Sequence, residues 1–216
     1  MKELSEMTLE ELWELFPIII KDYNPDYKNW YEVEKISLTK EFSNIILRLN
    51  HIGSTSVEGL KSKPTVDILM EISTDSDIKK VQDKLSSMGW ILMNSTNRPK
   101  FRQVYNKGYT KYGFAEKVYH LHVRYRDDWN ELYFRDYLIA HKEVAKEYEK
   151  LKVKLWKEFE HDNSKKFYRG IVEHSLIDNE LPLIFVAVDN GVLLGTGGIW
   201  RGDLLSRQEL YHGFLH

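Results

Sequence analysis

His51-Ile-Gly-Ser-Thr-Ser-Val-Glu-Gly-Leu-Lys-Ser-Lys-Pro-Thr-Val-Asp-Ile-Leu-Met-Glu-Ile72 is the stretch on which the fold turns. Its second half, residues 65–72, is a run of branched and apolar residues that reads as a short strand. Its first half is a turn built on Gly53 and Ser54. Glycine allows a ligand close to the backbone, and serine adds a hydroxyl that both donates and accepts. That pair reads either as a cradle for phosphate oxygens or as a turn with a hydroxyl cap before a buried strand. Asp67, between Val66 and Ile68, is open in the same way. It is either a buried acid paired with Lys63, Arg102 or Arg124, or a member of a metal or phosphate network. Lys61 and Lys63 stand where they would meet either phosphate or water.

Ahead of this stretch, Thr8 and Glu11 form a capping-box pattern, and Leu9, Leu12, Trp13 and Phe16 follow at helical spacing up to Pro17. Asn24-Pro25-Asp26 signals a turn. Trp30, Tyr31, Val33, Ile36 and Leu38, then Phe42, Ile45, Ile46 and Leu49, predict one long helix over about 30–50. Beyond the strand, residues 75–88 return to helical spacing and stop at Gly89. Strands are predicted at 90–93 and 101–105, with a polar loop between them that contains Arg98-Pro99. Residues 118–124 alternate, which places Tyr119, Leu121 and Val123 on an apolar face and His120, His122 and Arg124 on the opposite one. Two histidines so placed are metal ligands or polar lining. Residues 131–159 keep helical spacing with a break near His141. The charged positions of that region, Lys142, Glu143, Lys146, Glu147, Glu149, Lys150, Lys152 and Lys154, alternate in sign and read as a solvated face rather than a nucleic-acid surface.

Composition sets the outer bounds. The chain of 216 residues carries 31 basic and 33 acidic residues, net −2, so no global field draws it to nucleic acid or an anionic membrane. With no cysteine, disulfides, thiolate nucleophiles and cysteine-type zinc sites are excluded. The acidic start lacks a signal-peptide core and no apolar run reaches spanning length, which gives the expectation of a soluble cytoplasmic protein without membrane partners. Near residue 165 the composition shifts: no lysine follows Lys166, while six of the 12 glycines fall in the last stretch. This predicts a boundary, with 1–165 as the main domain and 166–216 as a separate segment. Within that segment 183–199 reads as two strands around Asp189-Asn190-Gly191. A lone hairpin is unstable in water. It must pack on the main domain, begin a further domain, or pair with another chain, the last giving self-association.

The motif of residues 51–67 resembles the signature of the GrpB family, a set of mostly uncharacterised proteins with a nucleotidyltransferase-like fold. Leu12-Trp-Glu-Leu-Phe-Pro17, Asn24-Pro25 and Trp30 extend the likeness upstream. His120-Leu-His-Val123, Phe134-Arg-Asp-Tyr-Leu138 and the positions Glu143, Ala145, Tyr148, Leu151 and Lys152 extend it downstream. Together they cover residues 10–162. Residues 167–210 look like the start of a GNAT acetyltransferase, without the Gly-rich pyrophosphate turn those enzymes place on a later helix, so no competent acetyl-coenzyme A site is expected.

The resemblance implies an α/β or α+β fold, a small mixed sheet flanked by helices, with the GNAT-like hairpin at its C-terminal side. It also implies a site. In nucleotidyltransferases a Gly-Ser turn precedes an Asp-x-Asp/Glu strand whose carboxylates hold Mg²⁺ or Mn²⁺ around a nucleotide. Carried onto this chain, Asp67 is the catalytic carboxylate and metal ligand, and Gly53, Ser54, Thr55, Ser56, Lys63, His120, His122 and Arg124 bind a nucleotide or another phosphorylated small molecule. Position 69 is leucine, where the second carboxylate belongs. Glu71 restores a carboxylate to the strand face, at about 13 Å of strand from Asp67, so as a second metal ligand it needs a bend.

Overall fold

The computed structural model describes residues 2–97, 100–126, 130–159, 184–189 and 192–198. After a 3₁₀ turn at Leu4–Glu6, helix α1 (Leu9–Leu15) starts on the predicted capping box. The Thr8 hydroxyl accepts from Glu11 N–H at 3.3 Å, and Glu11 accepts from Thr8 N–H at 2.7 Å. Removing one half of that exchange in Thr8→Ala is expected to lower the unfolding free energy by about 1 kcal/mol in urea titrations.

Helix α2 (Asp26–Phe42) follows Pro25, with the Asn24 side chain accepting from Asp26 N–H at 2.9 Å. It ends well before residue 50. Tyr27, Tyr31, Glu34, Leu38 and Phe42 form its buried face, whereas Val33 and Ile36 are exposed. Residues 46–50, expected to continue that helix, belong instead to strand β1 (Ile46–Ile52). The apolar Ile45, Ile46 and Leu49 satisfy a helical spacing, but β1 pairs antiparallel with β2 (Thr65–Ile72), and this ladder overrides local periodicity.

Helix α3 (Ile78–Ser87) is capped by the Asp77 side chain, and Gly89 beyond it has φ 84°. Strands β3 (Ile91–Thr96), β4 (Arg102–Thr110) and β5 (Gly113–Tyr125) then form a meander. The last two are longer than the sequence suggests. They are joined at Thr110 and Gly113, where the Thr110 hydroxyl donates to the Gly113 carbonyl at 2.8 Å. The break near His141 separates α4 (Asn130–Ala140) from α5 (Lys142–Phe159), as its spacing predicts.

The result is an α+β fold around a five-stranded sheet of order β1-β2-β5-β4-β3, in which β2 and β5 run parallel and the other pairs antiparallel. One face, with Val66, Ile68, Met70, Ile72, Tyr119, Leu121 and Val123, forms the main core with α2 and α3. The other face is polar over β5. It is apolar where Ile52 and Leu69 pack with Leu132 of α4. A third cluster joins Val57 and Leu60 of the β1–β2 connection to Leu138, Ala145 and Tyr148.

Strands β6 (Ile184–Asp189) and β7 (Val192–Gly198) pair antiparallel in a sheet of their own. The rest of 160–216, and with it the boundary near 165 and the acetyltransferase-like reading of 166–216, lies outside the described residues. Among the described residues no helix is long and apolar enough to cross a membrane.

Candidate functional site

The chain leaves β1 through Gly53, whose φ of 70° and ψ of −175° turn it into a 3₁₀ turn at Ser54–Ser56. Two constraints meet at this glycine. Its backbone conformation is strained for any L side chain, and a Cβ built there would run into the Asp67 carboxylate. The turn is pinned from below: Thr55 is buried, and its hydroxyl donates to the Thr65 carbonyl at 3.0 Å while lying 3.0 Å from His51 Nε2. Since that hydroxyl proton is engaged, His51 is the donor, which fixes its neutral Nε2–H form. The Ser56 hydroxyl donates back to the Gly53 carbonyl at 2.5 Å. Thr55 and Ser56, expected as ligand contacts, thus hold the turn itself.

His51 also stacks on Tyr31 with ring centroids 5.0 Å apart. Burial pushes its imidazole down to about 4, against the opposing pull of Asp67. The unfolded chain therefore takes up this proton at a higher pH than the native protein does. Native stability is expected to fall by about 3 kcal/mol as pH drops from the ordinary histidine value toward 4, and to level off below it. Urea titrations across that window should show the slope, and His51→Gln, which keeps a donor toward Thr55, should remove that share of it.

Asp67 projects from β2 on the face shared with His120 and His122 of β5, since it stands opposite His120 in the parallel ladder. Asp67 Oδ1 is 3.2 Å from His120 Nδ1 and 3.7 Å from His122 Nε2. The far side of the His120 ring, Nε2, is 2.9 Å from the Tyr109 hydroxyl. Burial pushes the Asp67 carboxyl up, but the hydrogen bonds of His120 and His122 outweigh it and hold the acid well below the usual carboxylate range. Burial also pushes His120 down, more strongly than Asp67 raises it. The consistent assignment is an ionised Asp67 accepting from Nδ1–H of a neutral His120, whose Nε2 accepts from Tyr109. Arg124, one of the cations the sequence offered to Asp67, instead lies 2.5 Å from Glu131.

Glu71 is not brought to this site. Its side chain is fully buried and paired with Arg48. Leu69 stands between the two carboxylates on the same face, packed with Ile52 and Leu132. Among the described residues no group of three or more histidine, aspartate or glutamate side chains is arranged around a metal position. With leucine in the second carboxylate position and Glu71 engaged by Arg48, these donors do not fit a pair of hard divalent ions.

The residue that sequence reasoning misplaced is Lys152. Assigned to the solvated face of α5, it is only 4% exposed. Its ammonium donates to Ser54 Oγ at 2.8 Å and to the Lys61 carbonyl at 2.9 Å. Glu149, one helical turn earlier, accepts from Lys61 N–H at 2.6 Å, so α5 grips this loop by both of the Lys61 peptide groups. The signal was present in the pattern: Lys152 continues the buried stripe of Ala145 and Tyr148 and lies under the cluster that Val57 and Leu60 make with them. Lys142, Lys146, Lys150 and Lys154 are exposed, as the alternating charge implies. Arg135 of α4 adds a further clasp, donating to the His51 carbonyl at 2.9 Å. The ammonium of the exposed Lys61 lies 2.7 Å from Asp22.

Comparison with known proteins adds three likenesses. The family model described as GrpB protein matches residues 17–170. The glutamate-rich protein GrpB of Alkalihalophilus pseudofirmus is 30% identical over 149 residues, 67% of this chain and 84% of that protein. The UPF0157 protein YqkA of Bacillus subtilis is 30% identical over 136 residues, 62% of this chain but 38% of that protein, so the match spans well under half of YqkA. Among solved structures, the conserved protein GrpB from Enterococcus faecalis shares the fold at a TM-score of 0.59 and 24% identity, over 72% of this chain and 93% of that one.

Proposed function

This chain belongs to the GrpB family, and on that premise we propose that it binds a nucleotide or another phosphorylated small molecule at the turn of Gly53 and Ser54. One observation carries the reading. Lys152 is a buried cation aimed at the Ser54 hydroxyl, where a phosphate oxygen would meet both groups at once. Gly53, bare of a side chain, lets the Asp67 carboxylate come up against the backbone of the turn, so Asp67 with its two histidines borders the Ser54 side of the site. Calorimetric titration of the full chain with the four nucleoside triphosphates, with and without Mg²⁺ or Mn²⁺, tests it. Saturable binding that weakens about tenfold in Ser54→Ala is the expected result. No binding across the set, or binding indifferent to Ser54, would end the proposal.

Binding without group transfer is the form of this function that the site favours. Nucleotidyl transfer uses carboxylates to place divalent ions on the attacking and leaving oxygens. In the motif that the family resemblance implies, one of them would stand at position 69, and here that residue is Leu69, buried with Ile52 and Leu132. The competing reading is metal-dependent transfer, supported by an ionised Asp67 next to the turn. Release of pyrophosphate from a nucleoside triphosphate that stops in Asp67→Ala would establish that reading in place of the first.

A further inference from the structure

A cavity of about 370 Å³ opens beside this site, between the segment that follows α1, the start of α2 and the hairpin of β4 and β5. Trp30, Tyr109, Phe114, Ala115, Lys63 and Val118 are among its lining residues. Its volume lies in the range of small-molecule sites. A chain of bonded side chains links its wall to the turn. Tyr109, in its wall, bonds His120, which bonds Asp67, which abuts Gly53. Thr65, also in the wall, accepts the Thr55 hydroxyl at 3.0 Å. Asp67 lies two residues along the strand from Thr65, a rise of about 7 Å.

Resting on the phosphate reading of the turn, we infer that this cavity receives the base of a nucleoside whose phosphates lie at Gly53 and Ser54. The wall selects the ligand class. Tyr109 and Phe114 meet edge to face with centroids 5.2 Å apart, and Trp30 also lines the space, so rings are offered for a flat aromatic group. Asp22 and Glu116 in the lining oppose a bare phosphate, while Lys21 and Lys63 are out of place around a lipid chain. A neutral heterocycle with donors and acceptors on its edge suits both the rings and the mixed polar rim. Base and phosphate are thus read by separate parts of the chain, the hairpin for one and the turn with α5 for the other.

The test compares inorganic triphosphate, the four nucleoside triphosphates and their nucleosides on the full chain by calorimetry. At least one nucleoside triphosphate should bind about tenfold or more tightly than inorganic triphosphate. Ala115→Trp fills the cavity from an exposed position, and Phe114→Ala removes an exposed ring. Both should erase that preference and leave the affinity for inorganic triphosphate unchanged. Equal binding of nucleotides and inorganic triphosphate overturns the inference, as does a preference that survives Ala115→Trp, or a complete failure of nucleosides and nucleotides to bind. Should a nucleoside bind and be excluded by Ala115→Trp while inorganic triphosphate does not bind, the cavity stands and the phosphate reading of the turn falls.

Discussion

Gly53→Ala is expected to lower the unfolding free energy by about 4 kcal/mol, far more than the same change at Gly59. Both positions have positive φ, 70° and 80°, so both carry the backbone strain of a left-handed residue. A Cβ at Gly59 meets nothing within 4 Å, whereas at Gly53 it meets the Asp67 carboxylate. Asp67 cannot yield cheaply, because it is held by His120, and His120 in turn by Tyr109. Either the turn or this chain of bonds must move. Gly59→Ala therefore reports the strain alone, at about 1 kcal/mol, and the difference between the two variants reports the clash. Urea titrations of the pair give both numbers. Equal losses would mean that Asp67 rearranges freely, and that the close approach of turn and carboxylate has no energetic weight.

Lys152→Met is expected to reduce affinity for inorganic triphosphate or a nucleoside triphosphate by about a thousandfold, or about 4 kcal/mol, while changing stability by about 1 kcal/mol or less. The asymmetry follows from where the ammonium sits. It is desolvated by the packing of α5 against the loop, so its attraction for an anion is weakly screened. Methionine keeps the stem that continues the stripe of Ala145 and Tyr148 and gives up the charge with its hydrogen bonds to Ser54 and Lys61, a loss offset by no longer burying an ammonium. Lys150→Met is the control, since Lys150 is exposed and lies 2.7 Å from Glu147. Parallel titrations of the two variants read the difference. If both lose affinity equally, net charge on α5 is the cause and the buried position of Lys152 is irrelevant.

Much of this architecture can be read from local pattern. The Thr8 and Glu11 exchange, the strand at 65–72, the alternation that puts His120 and His122 opposite the core, and the break at His141 all depend on neighbours in sequence. Strand β1 was hidden because its apolar residues also fit a helical spacing, and only the partner strand decides between the two. The candidate site shows the same division. Gly53, Ser54 and Asp67 stand in one motif, but the partners of Asp67 come from β5 and the cation on Ser54 from α5. Periodicity places a residue on a face without saying what that face meets. Lys152 illustrates this: the alternating charge around it signals solvent, and its place on the stripe with Ala145 and Tyr148 signals burial. Packing against Val57 and Leu60 settled the matter.

The parallel pairing of β2 with β5 has a consequence for how the protein comes into being. Parallel neighbours cannot be joined by a tight turn, and here the two that carry Asp67 and His120 bring together residues 53 apart in the chain. The contact between Lys152 and Ser54 spans 98. Both closures incur their entropic cost before any reward, which places them late in folding, after the local β4 and β5 hairpin. A nascent chain that has emerged only as far as β3 thus carries the entire 51–72 motif but neither the β5 partners of Asp67 nor the α5 cation on Ser54, and the site is completed only when the last helix docks.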